Sequence, residues 1–322
     1  MIAEQSVTTQ RLLESLRHSM GPVILDAMTD KTVVEVMVNP DGRIWIDVAG
    51  EGLKWTGQHM APHDAESILR TLATHAGLIV TKDQPRVSAT LPETGERFQG
   101  EFPPLVSAAA FAIRKRPEMI FSLESYVDRG TMTADQCAII RQAVDDHANI
   151  VVAGGTGSGK TTLLNAILAE PSFADDRVII IEDTRELQCS AVNCVQLLTK
   201  KGELPVTMAD LVFDVLRLRP DRIIGGEVRD GQTALNLLKA WNTGHPGGAT
   251  SIHANNAYEA LTRIEDLIGE VSARIPYRAI AQAINVVVYI ERSRTGRKVK
   301  DVIRVRSHDG DAYQLEQMAS AA

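Results

Sequence analysis

Hydrophobic spacing divides the chain into two patterns. Over residues 7–28, Leu12, Leu13, Leu16, Met20, Ile24 and Leu25 recur at three- and four-residue steps, which predicts an amphipathic helix. "TVVEVMVNPDGRIWIDV" then alternates apolar and polar residues around "NPDG", the pattern of strand, tight turn and strand. Helical spacing returns over residues 62–76. "PRVSATLPETGERFQGEFPP" predicts a second hairpin turning at "PETGE", and "AAAFAIRKRP" one more strand, ended by Pro117. Residues 1–116 are thus expected to form a smaller N-terminal α+β domain, and residues 117–132 a linker.

The second pattern starts at residue 133. "TADQCAIIRQAVDDH" predicts a helix with Thr133 as its N-cap. "NIVVAGG", "RVIIIED" and "RIIGGE" are nearly continuous apolar runs separated by helical segments. Strands buried on both faces of a parallel sheet read this way. Residues 133–322 are therefore expected to form an α/β domain with helices on both sides of its sheet.

Charge and composition narrow the function. A net charge of −7, a pI near 5.7 and 4% aromatic residues argue against a nucleic-acid-coating protein or a base-stacking platform. There is no direct sequence evidence for DNA binding. Cys137, Cys189 and Cys194 have neither CxxC spacing nor an even count, so they read as small hydrophobes in a reducing compartment. The N-terminal segment lacks an apolar signal region. No apolar run approaches the roughly 20 residues that cross a bilayer. The expectation is a soluble protein able to dock on a membrane-bound partner.

The candidate chemistry starts at "VVAGGTGSGKTTLLNAIL". Gly154, Gly159, Lys160 and Thr161 satisfy G-x-x-x-x-G-K-[ST], and the loop also contains Gly155, Thr156, Gly157, Ser158 and Thr162. Consecutive backbone N–H groups wrap a phosphate chain only where Cβ atoms do not crowd the loop. The following helix turns its positive dipole end to the same anion. Lys160 supplies a mobile charge for the β- and γ-phosphates, and Thr161 a hydroxyl for Mg²⁺. Such a match arises by chance in about 1% of chains this long, and here it has a strand before it and a helix after it.

Carboxylates follow at the strand ends. "VIIIEDTREL" ends in Glu182 and Asp183, with Glu186 just beyond. At the C-terminal ends of parallel strands such groups face the ligand crevice, where they orient water or bind Mg²⁺ through its water shell. "RLRPDRIIGGEVR" places Glu227 where an aspartate commonly ends a nucleotide-site strand, among Arg217, Arg219, Arg222 and Arg229. Its two glycines are expected to let backbone pass close to the site. "TGHPGGATSIHAN" adds His245 and His253; a neutral imidazole at His253 could hydrogen-bond a γ-phosphate.

In this order the four boxes "GGTGSGKTT", "IEDTREL", "RLRPDRIIGGEVR" and "GHPGGATSIHAN" resemble the secretion traffic ATPases of type IV secretion and conjugation systems, most closely the TrbB-type conjugal transfer ATPases. The resemblance implies a C-terminal RecA-like P-loop ATPase domain behind the smaller N-terminal α+β domain. It implies ATP and Mg²⁺ held between the two domains of a hexameric homo-oligomer. It also implies a cytoplasmic location, peripheral to the inner membrane, with partners among inner-membrane secretion or conjugation channel proteins. Arginines that contact phosphates from the N-terminal domain or linker would correspond to Arg114 and Arg116. Within the acidic box the water-activating role falls on Glu182 or Glu186, with Glu227 supporting Mg²⁺ or the same water, and Thr161 and Asp183 as further metal contacts. A pilus retraction-type motor and a nucleic-acid-translocating RecA-like motor are the rival readings.

Overall fold

The computed structural model describes residues 7–48, 51–92, 94–115, 120–200, 202, 204–293 and 296–320. The chain divides into two compact units, residues 1–118 and 119–322.

The first unit is an antiparallel sheet with two helices packed on it. Its elements are α1 (Val7–Thr29), β1 (Val33–Val38), β2 (Arg43–Val48), β3 (Gly52–His59), α2 (Pro62–His75), β4 (Arg86–Thr90), β5 (Arg97–Glu101) and β6 (Ala110–Arg114). The strand order is β3-β2-β1-β6-β5-β4. The helix expected over 7–28 is interrupted at Gly21, whose φ of 67° is left-handed, followed by Pro22, which has no N–H to continue the ladder. Gly42 closes the "NPDG" turn with φ 81°, and a Cβ there would lie 2.6 Å from Met60 O. Ala65, Ile68, Leu69, Leu72 and Ala73 form the buried stripe of α2. They pack in one core with Val36, Phe98 and Ile113. Strand β3 was not apparent from spacing because it is an edge strand with little burial: Leu53 and Trp55 are exposed.

The second unit contains α3 (Leu123–Asp128), α4 (Ala134–Asp145), β7 (Ile150–Ala153), α5 (Lys160–Leu168), β8 (Arg177–Glu182), β9 (Asn193–Leu198), α6 (Met208–Val215), β10 (Arg222–Glu227), α7 (Gly231–Asn242), β11 (Ala249–Ile252), α8 (Ala257–Gly269), α9 (Tyr277–Ala283), β12 (Val286–Ser293), β13 (Gly296–His308) and β14 (Tyr313–Ser320). Strand order is β14-β13-β12-β7-β11-β10-β8-β9. Strands β12 through β9 in that order run parallel, and β13 and β14 join antiparallel.

The apolar runs are continuous because both sheet faces are covered. Ile150 and Val152 face a core shared with α3, α4 and α5. Val151 and Ala153 face one shared with α6, α7, α8 and α9. After β7 the chain builds β8 on one side of that strand and later places β12 on the other. Such a switch point opens a crevice at the carboxyl ends of the strands.

Part of the span expected to be a linker belongs to this second unit. Ser122 caps α3 by accepting from Ser125 N, Leu123 is fully buried, and Tyr126 and Met132 join the same core. Pro117 and its neighbours at 116–119 lie outside the described residues. Thr133 caps α4 in a reciprocal box: its Oγ1 accepts from Gln136 N at 3.1 Å, and Gln136 Oε1 accepts from Thr133 N at 2.9 Å. All three cysteines are free thiols; Cys137 is buried, whereas Cys189 and Cys194 are only half-buried. No helix among the described residues is long and apolar enough to cross a membrane.

Candidate active site

The glycine loop leaves the carboxyl end of β7 and enters α5 at Lys160. Gly157 (φ 69°) and Gly159 (φ 99°) take left-handed backbone, and Gly159 is the N-cap of α5. A Cβ on Gly154 would lie 2.3 Å from Ile290 O and 2.5 Å from Ser158 Oγ. The loop is therefore wedged against β12, and a bare backbone at 154 is a steric requirement. Gly155, Thr156, Thr161 and Thr162 continue the loop into the first turn of α5, whose N–H groups have no intrahelical acceptor. Ser158 is 2% exposed, and its Oγ has no partner among the described residues.

Lys160 is largely buried. Its Nζ donates to Gly154 O and Gly155 O, both at 3.0 Å, and lies 3.7 Å from Glu227 Oε1. Glu227 in turn accepts from Arg229 Nε at 2.8 Å, and Arg229 Nη1 lies 3.5 Å from Asp183 Oδ2. Lys160, Glu227, Arg229 and Asp183 thus form an alternating chain of charge across the ends of β7, β10 and β8.

Glu182 ends β8 at 2% exposure. Its Oε1 accepts from Glu186 N (2.9 Å) and Leu187 N (2.8 Å), and its Oε2 is buried without a partner among the described residues. Burial raises its pKa from 4.5 to about 7 against the opposing pull of those two N–H groups, with the charge of Glu186 adding to the rise. Glu186 contributes through its backbone: its N–H binds Glu182 and its carbonyl accepts from Asn165 Nδ2 at 3.1 Å. Asn165 Oδ1 also accepts from Gln188 N at 2.8 Å, so α5 fixes the acidic loop directly. Sequence reading missed Asn165 because a lone amide inside a leucine-rich helix carries no spacing signal.

The glycines of "IIGGE" make room for specific side chains. A Cβ on Gly225 would lie 3.0 Å from Thr250 Oγ1, and one on Gly226 would lie 3.2 Å from Glu182 Cγ. His253 follows β11 and is exposed. Gly154 N donates to Ile252 O at 3.3 Å, which places His253 beside the start of the glycine loop.

Other candidates lie elsewhere. His245 precedes β11, at the opposite end of the sheet, where its Nδ1 meets Pro220 O at 3.0 Å. Arg222 starts β10 fully buried, bonded to Asp176, Val144 O and Ser172 O over the Phe173 ring. It ties the amino ends of the strands together and does not face the crevice. Arg217 lies over the Phe213 ring. Arg114 ends β6 in the first unit, opposite Glu35 on one side and Arg97 on the other. Arg116 lies outside the described residues.

Two further arginines reach the loop. Arg297 Nε lies 3.3 Å from Gly157 O, and its Cδ would be 2.9 Å from a Cβ on Gly159; Arg292 Nη1 would be 3.6 Å from a Cβ on Gly157. They come from the β12–β13 hairpin, about 140 residues downstream of the loop.

Residues 18–309 match the family model described as type II/IV secretion system protein. The chain is 47% identical to a conjugal transfer protein TrbB of Rhizobium radiobacter, over 96% of this chain and 95% of that one. It is 31% identical to the type IV secretion system protein VirB11 of Bartonella quintana, over 76% and 78% of the two chains. Its fold is similar to that of the ATPase DotB of Legionella pneumophila, with a TM-score of 0.59 at 20% identity over 97% of this chain and 83% of that chain.

Proposed function

The chain belongs to the type II/IV secretion system protein family and is a nucleotide-binding ATPase of that family, and from this premise we propose that it hydrolyses ATP to drive conjugative transfer. The observation that carries the reading is the seat of Lys160, whose ammonium sits between two loop carbonyls and Glu227. An ammonium held there meets a polyphosphate wrapped by the Gly154–Thr162 backbone, with Lys160 on the β- and γ-phosphates.

Glu182 is the water-activating group. Its Oε1 is anchored by two N–H groups, which leaves Oε2 to accept a proton from water attacking the γ-phosphorus. Glu186 acts by shaping the loop that holds Glu182. His253, at the end of β11, senses the γ-phosphate by hydrogen bonding. Arg114 and Arg116 are the candidates for phosphate contacts from the first unit.

The residues fit Mg²⁺ as a hard-oxygen site. Thr161 would offer a hydroxyl, and Glu227 and Asp183, which both pair with Arg229, would offer carboxylates directly or through the ion's water shell. Among the described residues there is no group of three or more metal-ligating side chains. This suits a cation held by one or two protein oxygens together with phosphate and water. Such an ion, when bound, neutralises charge developing on the β- and γ-oxygens.

The named relatives that match nearly the whole chain are conjugal transfer proteins, which supports conjugation over a pilus retraction role. We place the protein as a hexameric ring on the cytoplasmic side of the inner membrane, peripheral to a secretion or conjugation channel. The test is steady-state ATP turnover by the full chain with and without Mg²⁺, alongside mass photometry. The expected result is Mg²⁺-dependent hydrolysis by a six-membered assembly, lost in Lys160→Ala. Absence of affinity for any nucleotide, or a Lys160→Ala variant that binds and turns over like the parent, overturns the reading.

A further inference from the structure

The β12–β13 hairpin carries an unusual concentration of charge. In a chain of net charge −7, residues 291–300 read "ERSRTGRKVK", five cations against one carboxylate. Glu291 faces Lys298 in register and lies 3.9 Å from Lys300. Arg292 and Arg297 face each other directly across the two strands. Neither is ion-paired with a carboxylate among the described residues. Like charges directly opposite on an antiparallel pair repel, so this pairing destabilises the hairpin by itself.

Both side chains converge on Gly157. Arg297 Nε bonds its carbonyl, its Cδ packs over Gly159, and an Arg292 nitrogen lies beside the open Cβ position of Gly157. Gly157 and Gly159 hold left-handed backbone within the anion-wrapping loop. A polyanion seated there would relieve the repulsion between the two guanidiniums and gain two planar donors.

We propose that Arg292 and Arg297 form a cationic clamp beside Gly157 of the phosphate loop that binds the diphosphate group of the nucleotide. This rests on the reading of the loop as a nucleotide site. The clamp recognises the phosphates and not the base. It contributes binding that is present before and during reaction, so it sets the affinity for substrate and product more than the rate of the chemical step.

The test measures binding of ADP and GDP to the full chain by fluorescence anisotropy of labelled analogues, with ATP turnover and nucleotide-free thermal unfolding. Arg292→Ala and Arg297→Ala are each expected to weaken ADP roughly tenfold, and the double variant roughly a hundredfold. GDP affinity falls by the same factor. KM for ATP rises while kcat stays within about twofold. Arg297→Lys, which keeps the charge but loses the planar donors, recovers part of the affinity. Nucleotide-free Arg292→Ala melts no lower than the parent, because a repulsive pair has been removed; this separates lost binding from a damaged fold. If the parent binds no nucleotide, the reading of the loop is wrong. If the parent binds and the double variant stays within twofold of it, the clamp is wrong. A loss confined to adenine nucleotides, or a fall in kcat at unchanged KM, also overturns the diphosphate assignment.

Discussion

Gly226 and Glu182 are matched across β10 and β8: a single methyl on residue 226 would come within 3.2 Å of Glu182 Cγ. That separation is tighter than ordinary van der Waals contact, so an alanine there must push the carboxylate by a few tenths of an ångström. Glu182 cannot yield freely, because two backbone N–H groups grip its Oε1.

Gly226→Ala is therefore expected to lower kcat by about tenfold while nucleotide affinity stays near that of the parent. Misplacing a reacting group by 1 Å costs about a hundredfold, and this shift is smaller. Turnover measured beside ADP binding checks it; equal loss of both would mean that the substitution disturbs the whole crevice.

Glu182 makes activity and stability respond to pH in opposite directions. As a base it must be ionised, so kcat should climb as pH rises through about 7. Its folded-state pKa is raised above the unfolded value of 4.5, so between pH 4.5 and about 7 the folded state holds the extra proton. Its contribution to stability is then fully present below pH 4.5 and declines as pH rises through 7, by roughly 3 kcal/mol at most. Glu182→Gln keeps an acceptor for both N–H groups and carries no charge. It should abolish turnover, retain ATP binding, and melt higher than the parent at pH 8 but not at pH 4.5. Calorimetry across that range checks the crossover, and a parallel pH dependence of the two proteins contradicts it.

Arg229 bridges Glu227 and Asp183 from a half-exposed position. Its ion pairs are worth little to stability, because water screens them. Its removal leaves Asp183 without its cationic partner and Glu227 with Lys160 alone, beside a polyphosphate site. Arg229→Ala is expected to change Tm by less than about 3 °C and to raise KM for ATP several-fold. A large drop in Tm with unchanged KM would instead make Arg229 a structural brace.

Arg222 should behave in the reverse manner. It is fully buried, bonded to Asp176 and to two carbonyls, and lies at the end of the sheet away from the glycine loop. Breaking such a buried pair from one side costs about 3–5 kcal/mol. Arg222→Ala is expected to lower the denaturant midpoint strongly while the protein that remains folded keeps its turnover per molecule. Loss of activity in fully folded protein would argue that the amino end of β10 communicates with the crevice.

The order of the boxes, the glycine loop between a strand and a helix, and the parallel character of a sheet whose strands read as unbroken apolar runs are all legible in the chain's local pattern. These are local properties: backbone torsion at glycine, burial on both faces and capping leave their mark within a few residues. Which charged residues share the crevice depends instead on how the strands and helices pack. Arg222 and Glu227 lie on the same six-residue strand yet at opposite ends of the sheet, so proximity in sequence gave no guide to role. Asn165 and Arg297 carried no motif and became site residues only because the strand order brings the acidic loop onto α5 and β12 beside β7. Strand order is set by how all the apolar faces pack at once, and that global choice leaves no period in the local pattern of residues.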